Sequence, residues 1–315
     1  MRLFLFFMIF SQLPNLVIAN PRKSVIGSDG TGFFVNYCRV LNHIQHCRLN
    51  NQIPVVYWNE SSSYYDENGY NGSLNAWEYY FEPVSGEKYE ITDLIRRDSY
   101  ADSDGFSTVW DYHQYVDNFC LCTREDRKNF INITNGQFGN WWTGPNNGKH
   151  LYDKEFRSFI NRELITPYIK IKANIREKIE LFYSEQFVGK KTIGIHLRGR
   201  HLYGILPFVP IEIILEAANS LADENTQFFI ATDQQPLIDQ AKRLLKGNVI
   251  FYDMDRFEIT TSPYPGVPKL HPKLGEDLLI EAILLSRCDH LVHTISTVST
   301  AVLYLNPTMG HTLLY

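Results

Sequence analysis

Two arginines and two histidines crowd into six residues at His196-Leu197-Arg198-Gly199-Arg200-His201. Guanidinium forks match pairs of phosphate oxygens, and Gly199 lets the backbone approach a ligand closely. A solvated basic loop is the other reading of those residues. A second run, His293-Thr294-Ile295-Ser296-Thr297-Val298-Ser299-Thr300, stands directly before an apolar helical stretch. Hydroxyls and free N–H groups at a helix start, backed by the helix dipole, make an anion site. An ordinary Ser/Thr cap uses the same residue types. Together the two runs predict a diphosphate held between Arg198 and the Ser/Thr turn. Ala231-Thr232-Asp233 is a third polar strand end, where Asp233 is either a ligand-facing carboxylate or a helix cap. Glu281 is the lone carboxylate of Leu278-Leu279-Ile280-Glu281-Ala282-Ile283-Leu284-Leu285. A carboxylate among such neighbours is costly without a partner. It reads as an acceptor for two N–H groups of a base edge such as guanine, or as the solvent-facing position of an amphipathic helix. Asp277, one turn earlier, competes for the same role.

The elements that must carry these residues alternate. Thr192–Leu197 reads as a strand, Pro210–Ala222 as a helix with Pro in its first turn, and Gln227–Thr232 as a strand. Gln235–Leu245 reads as a helix closed by Gly247, Val249–Tyr252 as a strand, and Gly275–Arg287 as a helix. His290–Thr294 and Ser296–Leu305 close the series as strand and helix. Repeated β-α units with apolar strands predict a parallel, doubly wound sheet, which binds ligands at its carboxyl edge. The first half is less regular. Ser24–Arg48 reads as strand, glycine turn and helix, the helix carrying Val40, Leu41, Ile44 and Cys47 on one face. Ile53–Trp58 is a short buried strand. From Asn59 to Gly148 periodicity fades, and aromatic residues such as Trp77, Tyr79, Tyr80, Phe81, Trp110, Trp141 and Trp142 order loops and short elements. A helical region runs from Asp153 to about Tyr183, broken near Pro167, with Ile171, Ile175, Ile179 and Phe182 at helical spacing.

The chain has 315 residues, is 44% hydrophobic and 21% charged, and has a formal net charge of −5. That composition excludes disorder, collagen and coiled coil. Without a basic block it argues against nucleic acid as a partner. Cys38, Cys47, Cys120, Cys122 and Cys288 are too few for a disulfide scaffold and odd in number, and Cys120-x-Cys122 lacks the spacing of a zinc site. Residues 1–19 carry Arg2, an apolar stretch and a small residue at Ala19, the pattern of a secretory signal. A membrane anchor is the weaker reading, because polar residues interrupt the run. The sequons at Asn59, Asn71 and Asn132 fit a secretory, glycoprotein route without deciding it.

The spacing of HLRGR, ATD and GEDLLIEAILLSRCDHLVHTISTVSTA resembles the fucosyltransferase superfamily of core N-glycan, nodulation and protein O-fucosyltransferases. The resemblance is closest over Thr192–Tyr304 and extends to GFFVNYCRVLNHI near the amino end. It implies an α/β fold of the GT-B class, two Rossmann-like domains across a cleft: 20–185 on the acceptor side and 186–315 holding the donor. It implies GDP-fucose as donor substrate, a glycan or protein acceptor, inversion at the anomeric centre, and no metal or other cofactor. The family's motif residues carry over to His196, Arg198, Glu281, Ser296 and Thr297, and Gly32, Asn36, Gly199, Asp233, Asp277 and Ser299 complete the expected donor site. Arg198 and Ser296-Thr297 would meet the diphosphate, and Glu281 the guanine. One departure concerns the catalytic base. Relatives carry Asp two or three residues after the motif arginine and core enzymes a glutamate beyond it. Here Arg200 and His201 fill the first positions and Leu202–Pro207 holds no carboxylate. His201 is the candidate base. A carboxylate of the first half such as Asp29, or a route without a side-chain base, stands equally.

Overall fold

The computed structural model describes residues 23–28, 30–88, 153–198, 209–256 and 270–314. The leader, Asp29, Cys120, Cys122, Trp110, Trp141, Trp142, the Asn132 sequon and the stretch 199–208 lie outside them.

The amino-terminal unit is a parallel βαβ: β1 (Lys23–Ile26), α1 (Phe33–Leu49) and β2 (Ile53–Val56), with Ile26 opposite Val56. The expected face of α1 is buried, and so are Asn42, His43, Gln45 and His46 around it. That follows from its neighbours on several sides, since α1 also packs on the helix Thr297–Leu305. Beyond β2, Asn75 caps a short 3-10 helix, Ala76–Tyr79, by accepting from the Trp77 N–H. This is where aromatic residues replace regular structure. Trp77 stacks on Phe81 at 4.2 Å between centroids, and Phe33 meets Trp58, Tyr64 and Tyr80 edge-on. Of the aromatics expected to order this stretch, the four among the described residues, Trp77, Tyr79, Tyr80 and Phe81, are fully buried.

α2 (Lys154–Ile160) starts at an Asp153 cap and runs into a five-residue π turn, Asn161–Ile165, and a last turn, Thr166–Tyr168. The break comes at the expected place, beside Pro167. Ile171 is not helical as its spacing suggested: it bridges to Phe81 in extended backbone before α3 (Ala173–Gln186) begins.

The carboxyl-terminal half is one parallel sheet of five strands: β3 (Lys191–His196), β4 (Thr226–Ala231), β5 (Asn248–Ile250), β6 (His290–Thr294) and β7 (Gly310–Leu314), in the spatial order β5-β4-β3-β6-β7. α4 (Ile211–Leu221) and α5 (Gln235–Leu244) cover one face; α6 (Pro272–Ser286) and α7 (Thr297–Leu305) cover the other. The doubly wound parallel sheet expected from the alternating pattern is therefore present. The larger apolar core joins α1, the aromatic segment, α2, α3, α6 and α7, while the smaller lies under α4 and α5.

β2 and β5 each end two residues earlier than the sequence reading, at Val56 and Ile250, and two helix ends differ from it in kind. α6 begins at Pro272, not Gly275, because His271 caps it through Nδ1 to the Leu274 N–H and proline fits a first turn. Gly275 serves close packing instead: a Cβ there would fall 3.0 Å from Tyr64 and run into the Tyr80 hydroxyl. Likewise Gly247 does not close α5, which ends at Leu244 with Leu245 as its cap. The Asn71 side-chain amide donates to Tyr79 O at 2.8 Å and Glu276 Oε2 at 3.3 Å. Cys38, Cys47 and Cys288 are buried free thiols.

Candidate active site

The chain runs from β3 outward through β4 to β5, then returns by α6 to β6 on the other side of β3. The switch point therefore lies between β3 and β6, and the crevice beyond their carboxyl ends is where such sheets bind ligands. His196 ends β3 directly opposite His293 of β6. Leu197 is still paired, its N–H donating to Ala231 O at 3.0 Å. Arg198 is thus the first residue to leave the sheet at that edge.

Opposite it, Ser296 caps α7. Its Oγ accepts from the Ser299 N–H at 3.0 Å, and the Thr300 hydroxyl donates back to Ser296 O. The Ser/Thr turn is therefore a helix cap, and also more than a cap. The Oγ atoms of Ser296 and Ser299 sit 3.3 and 3.1 Å from His196 Nδ1. The two runs singled out in the sequence, about a hundred residues apart, meet through this contact. Burial, with the Arg198 charge behind it, lowers His196 to about 3, so its ring is neutral. The neutral ring can accept from a serine hydroxyl at Nδ1 or donate to one there, according to its tautomer. Thr297, the first residue of α7, shares that start.

Arg198 is partly buried, and burial lowers its pKa while the nearby Asp233 raises it. Asp233 is not the cap of α5; Gln234 is. Asp233 also raises the pKa of Glu281, behind the larger effect of burial. Glu281 is 3% exposed, which removes the solvent-facing reading. Its Oε1 accepts from Arg256 Nη2 at 2.8 Å. Asp277 is buried too, but pairs with Lys273. Gly32 caps α1 through its backbone carbonyl, and the Asn36 amide and carbonyl engage Thr31 and Arg39 at the start of the same helix. α1 packs along α7, whose start carries Ser296, Thr297 and Ser299. Gly199 and His201 lie outside the described residues.

Arg256 is the site residue that sequence reasoning missed. The signal was a cation in Asp253-Met254-Asp255-Arg256-Phe257, just beyond a strand. The lock at the start of α6 was missed as well. There Glu276, wholly buried, accepts from Tyr70 Oη at 2.8 Å and from Asn71, and pairs with Lys178, while Tyr80 Oη donates to Pro272 O at 3.0 Å. Among the described residues no cluster of three His, Cys, Asp or Glu could hold a metal ion, and no helix is long and apolar enough to cross a membrane.

No protein-family model and no curated protein sequence matches the chain. Solved structures do. A crystal structure of fucosyltransferase NodZ from Bradyrhizobium superposes with a TM-score of 0.51 at 17% identity, over 92% of each chain. A NodZ alpha-1,6-fucosyltransferase crystal soaked with GDP-fucose gives 0.50 at 16%, over 92% of this chain and 93% of that one. A mutant of Arabidopsis thaliana FUT1 in complex with GDP gives 0.51 at 12%, over 95% of this chain and 72% of that one. The chain has the mixed α/β fold of the GT-B fucosyltransferases.

Proposed function

We propose that the chain is an inverting, metal-independent fucosyltransferase that moves fucose from GDP-fucose to a hydroxyl of a glycan or protein acceptor. The observation that carries this reading is the contact of His196 with Ser296 and Ser299, which brings the end of β3, two residues before Arg198, to the capped start of α7 at the switch point. As the acceptor oxygen bonds to the anomeric carbon from one face, the bond to GDP breaks on the other and its electron pair goes to the β-phosphate. Arg198 and the N–H groups at the start of α7 stabilise that charge where it develops. Glu281 accepts from the guanine edge. His201 or Asp29 takes the acceptor's proton, or the proton leaves without a side-chain base. A secretory location, with residues 1–19 as leader, belongs to the same proposal. Support comes from the shared fold and from GDP or GDP-fucose in crystals of proteins that share it.

A second reading, a nucleotide-sugar or glycan binder that has lost catalysis, is favoured by the absence of a carboxylate from Arg200 to Pro207. Labelled GDP-fucose separates the two. Release of GDP with label on an acceptor or in water supports the transferase, and saturable binding without turnover supports the binder.

A further inference from the structure

Arg256 and Glu281 form a buried ion pair, their side chains 2% and 4% exposed. The one guanidinium makes four hydrogen bonds: Nε to Thr232 O at 3.1 Å, Nη1 to Met254 O at 3.4 Å, and Nη2 to Tyr252 O at 2.7 Å and Glu281 Oε1 at 2.8 Å. The Phe251 ring lies 5.2 Å from its central carbon. Three of the four acceptors are neutral carbonyls, so Glu281 is the charged group that answers Arg256 by direct contact. The arginine therefore ties the end of β4 and the segment after β5 to the middle of α6, and fixes one oxygen of the carboxylate.

We propose that Arg256 is a positioning residue that holds Glu281 as an anionic acceptor for the N1–H and 2-amino group of the donor's guanine; this rests on the GDP-fucose reading above. Guanine presents two parallel N–H donors that suit two carboxylate oxygens. Uracil presents one N–H between two carbonyls and would be repelled. Selectivity therefore requires the charged form of Glu281. Burial pushes its carboxyl up to about 8, Asp233 and Asp277 push the same way, and Arg256 pulls against them by charge and hydrogen bond. Tyr252 faces the same carboxyl from the segment after β5. Without the guanidinium the carboxyl would hold its proton to still higher pH and turn a donor toward guanine's donors.

Titrating GDP and UDP against the full chain across neutral and mildly alkaline pH tests this. The parent's GDP affinity rises with pH. Arg256→Gln lowers GDP affinity about tenfold near neutrality, moves that rise at least about one pH unit upward, and leaves UDP unchanged. Arg256→Lys, which keeps the charge but not the four-bond geometry, restores most of the pH profile. Equal losses for both variants and both nucleotides would make Arg256 a structural tie only and overturn the proposal. If Arg256→Gln does not fold, Arg256→Lys is added to Glu281→Gln: no further loss of GDP affinity supports the coupling, and an additive loss refutes it. A parent chain that prefers GDP over UDP while the variants leave its pH profile untouched overturns this inference alone. A parent with no such preference at any pH overturns the guanine reading itself.

Discussion

At the residue scale the proposed site gives Arg198 and Glu281 distinct duties. Arg198 leaves β3 next to a neutral His196 that two serine hydroxyls hold in place. Losing one donor aimed at developing charge costs about 3 kcal/mol, or roughly a hundredfold in rate. Arg198→Ala is therefore expected to slow transfer at least about tenfold and weaken GDP, with an unchanged circular dichroism spectrum; steady-state kinetics check it, and parent-like kinetics would remove Arg198 from the site. Glu281→Gln keeps the shape of the side chain and removes its charge, so calorimetric titration should show GDP weakened and UDP unaffected. Equal effects on the two nucleotides would deny Glu281 a role at the base. Arg198, Ser296 and Glu281 were legible as chemistry because polar groups stood where packing does not need them. Arg256 was not, because a cation between aspartates looks like any solvated loop until the fold buries it.

At the element scale the crevice depends on α6 and α7 being held at one height. Asn161 donates to Tyr304 O and Leu305 O, satisfying carbonyls at the far end of α7. The start of α6 is fastened by Tyr70, Asn71, Lys178 and Tyr80, residues whose partners lie about a hundred positions or more away. No local pattern encodes such contacts, whereas the start of α6 is set locally by the His271 cap and Pro272, and the sequence reading placed it three residues late. Periodicity also misled at Ile171, where a strand-like bridge to Phe81 wins over helical spacing. Gly275→Ala inserts a methyl between Tyr64 and Tyr80, and overpacking of this kind costs about 1–3 kcal/mol. Denaturant unfolding should show that loss with an unchanged slope; an unaffected midpoint would mean that α6 and the aromatic segment do not press together. Trp77→Ala, wholly buried and stacked on Phe81, should cost about 3–5 kcal/mol in the same measurement.

At the scale of the whole molecule, one apolar core runs from the aromatic segment to the α6–α7 face of the sheet, and it buries titratable groups with consequences for pH. Burial lowers His43 to about 4 and His196 and His293 to about 3. The unfolded chain therefore takes up those protons first, at its ordinary histidine pKa of about 6.5, and stability falls as pH drops below it. Glu281 acts oppositely: raised to about 8, it favours the fold below its unfolded pKa and loses that contribution as pH rises through 8. Between about pH 4.5 and 6.5 three histidines outweigh one carboxyl by two protons, or about 2.7 kcal/mol per pH unit. Calorimetric melting temperatures should fall on acidification from about pH 6.5 to 5, and a flat profile would show those histidines ionised in the fold. Glu281→Gln should remove a shallower decline on the alkaline side.

The proposed diphosphate grip of Arg198 and the α7 start is what a crystal of the chain grown with saturating GDP examines most directly. The expected density places the diphosphate within hydrogen-bonding distance of the Arg198 guanidinium and the N–H groups after Ser296, with guanine against Glu281. Nucleotide bound at another surface, or a vacant crevice between β3 and β6 at saturating GDP, would contradict it.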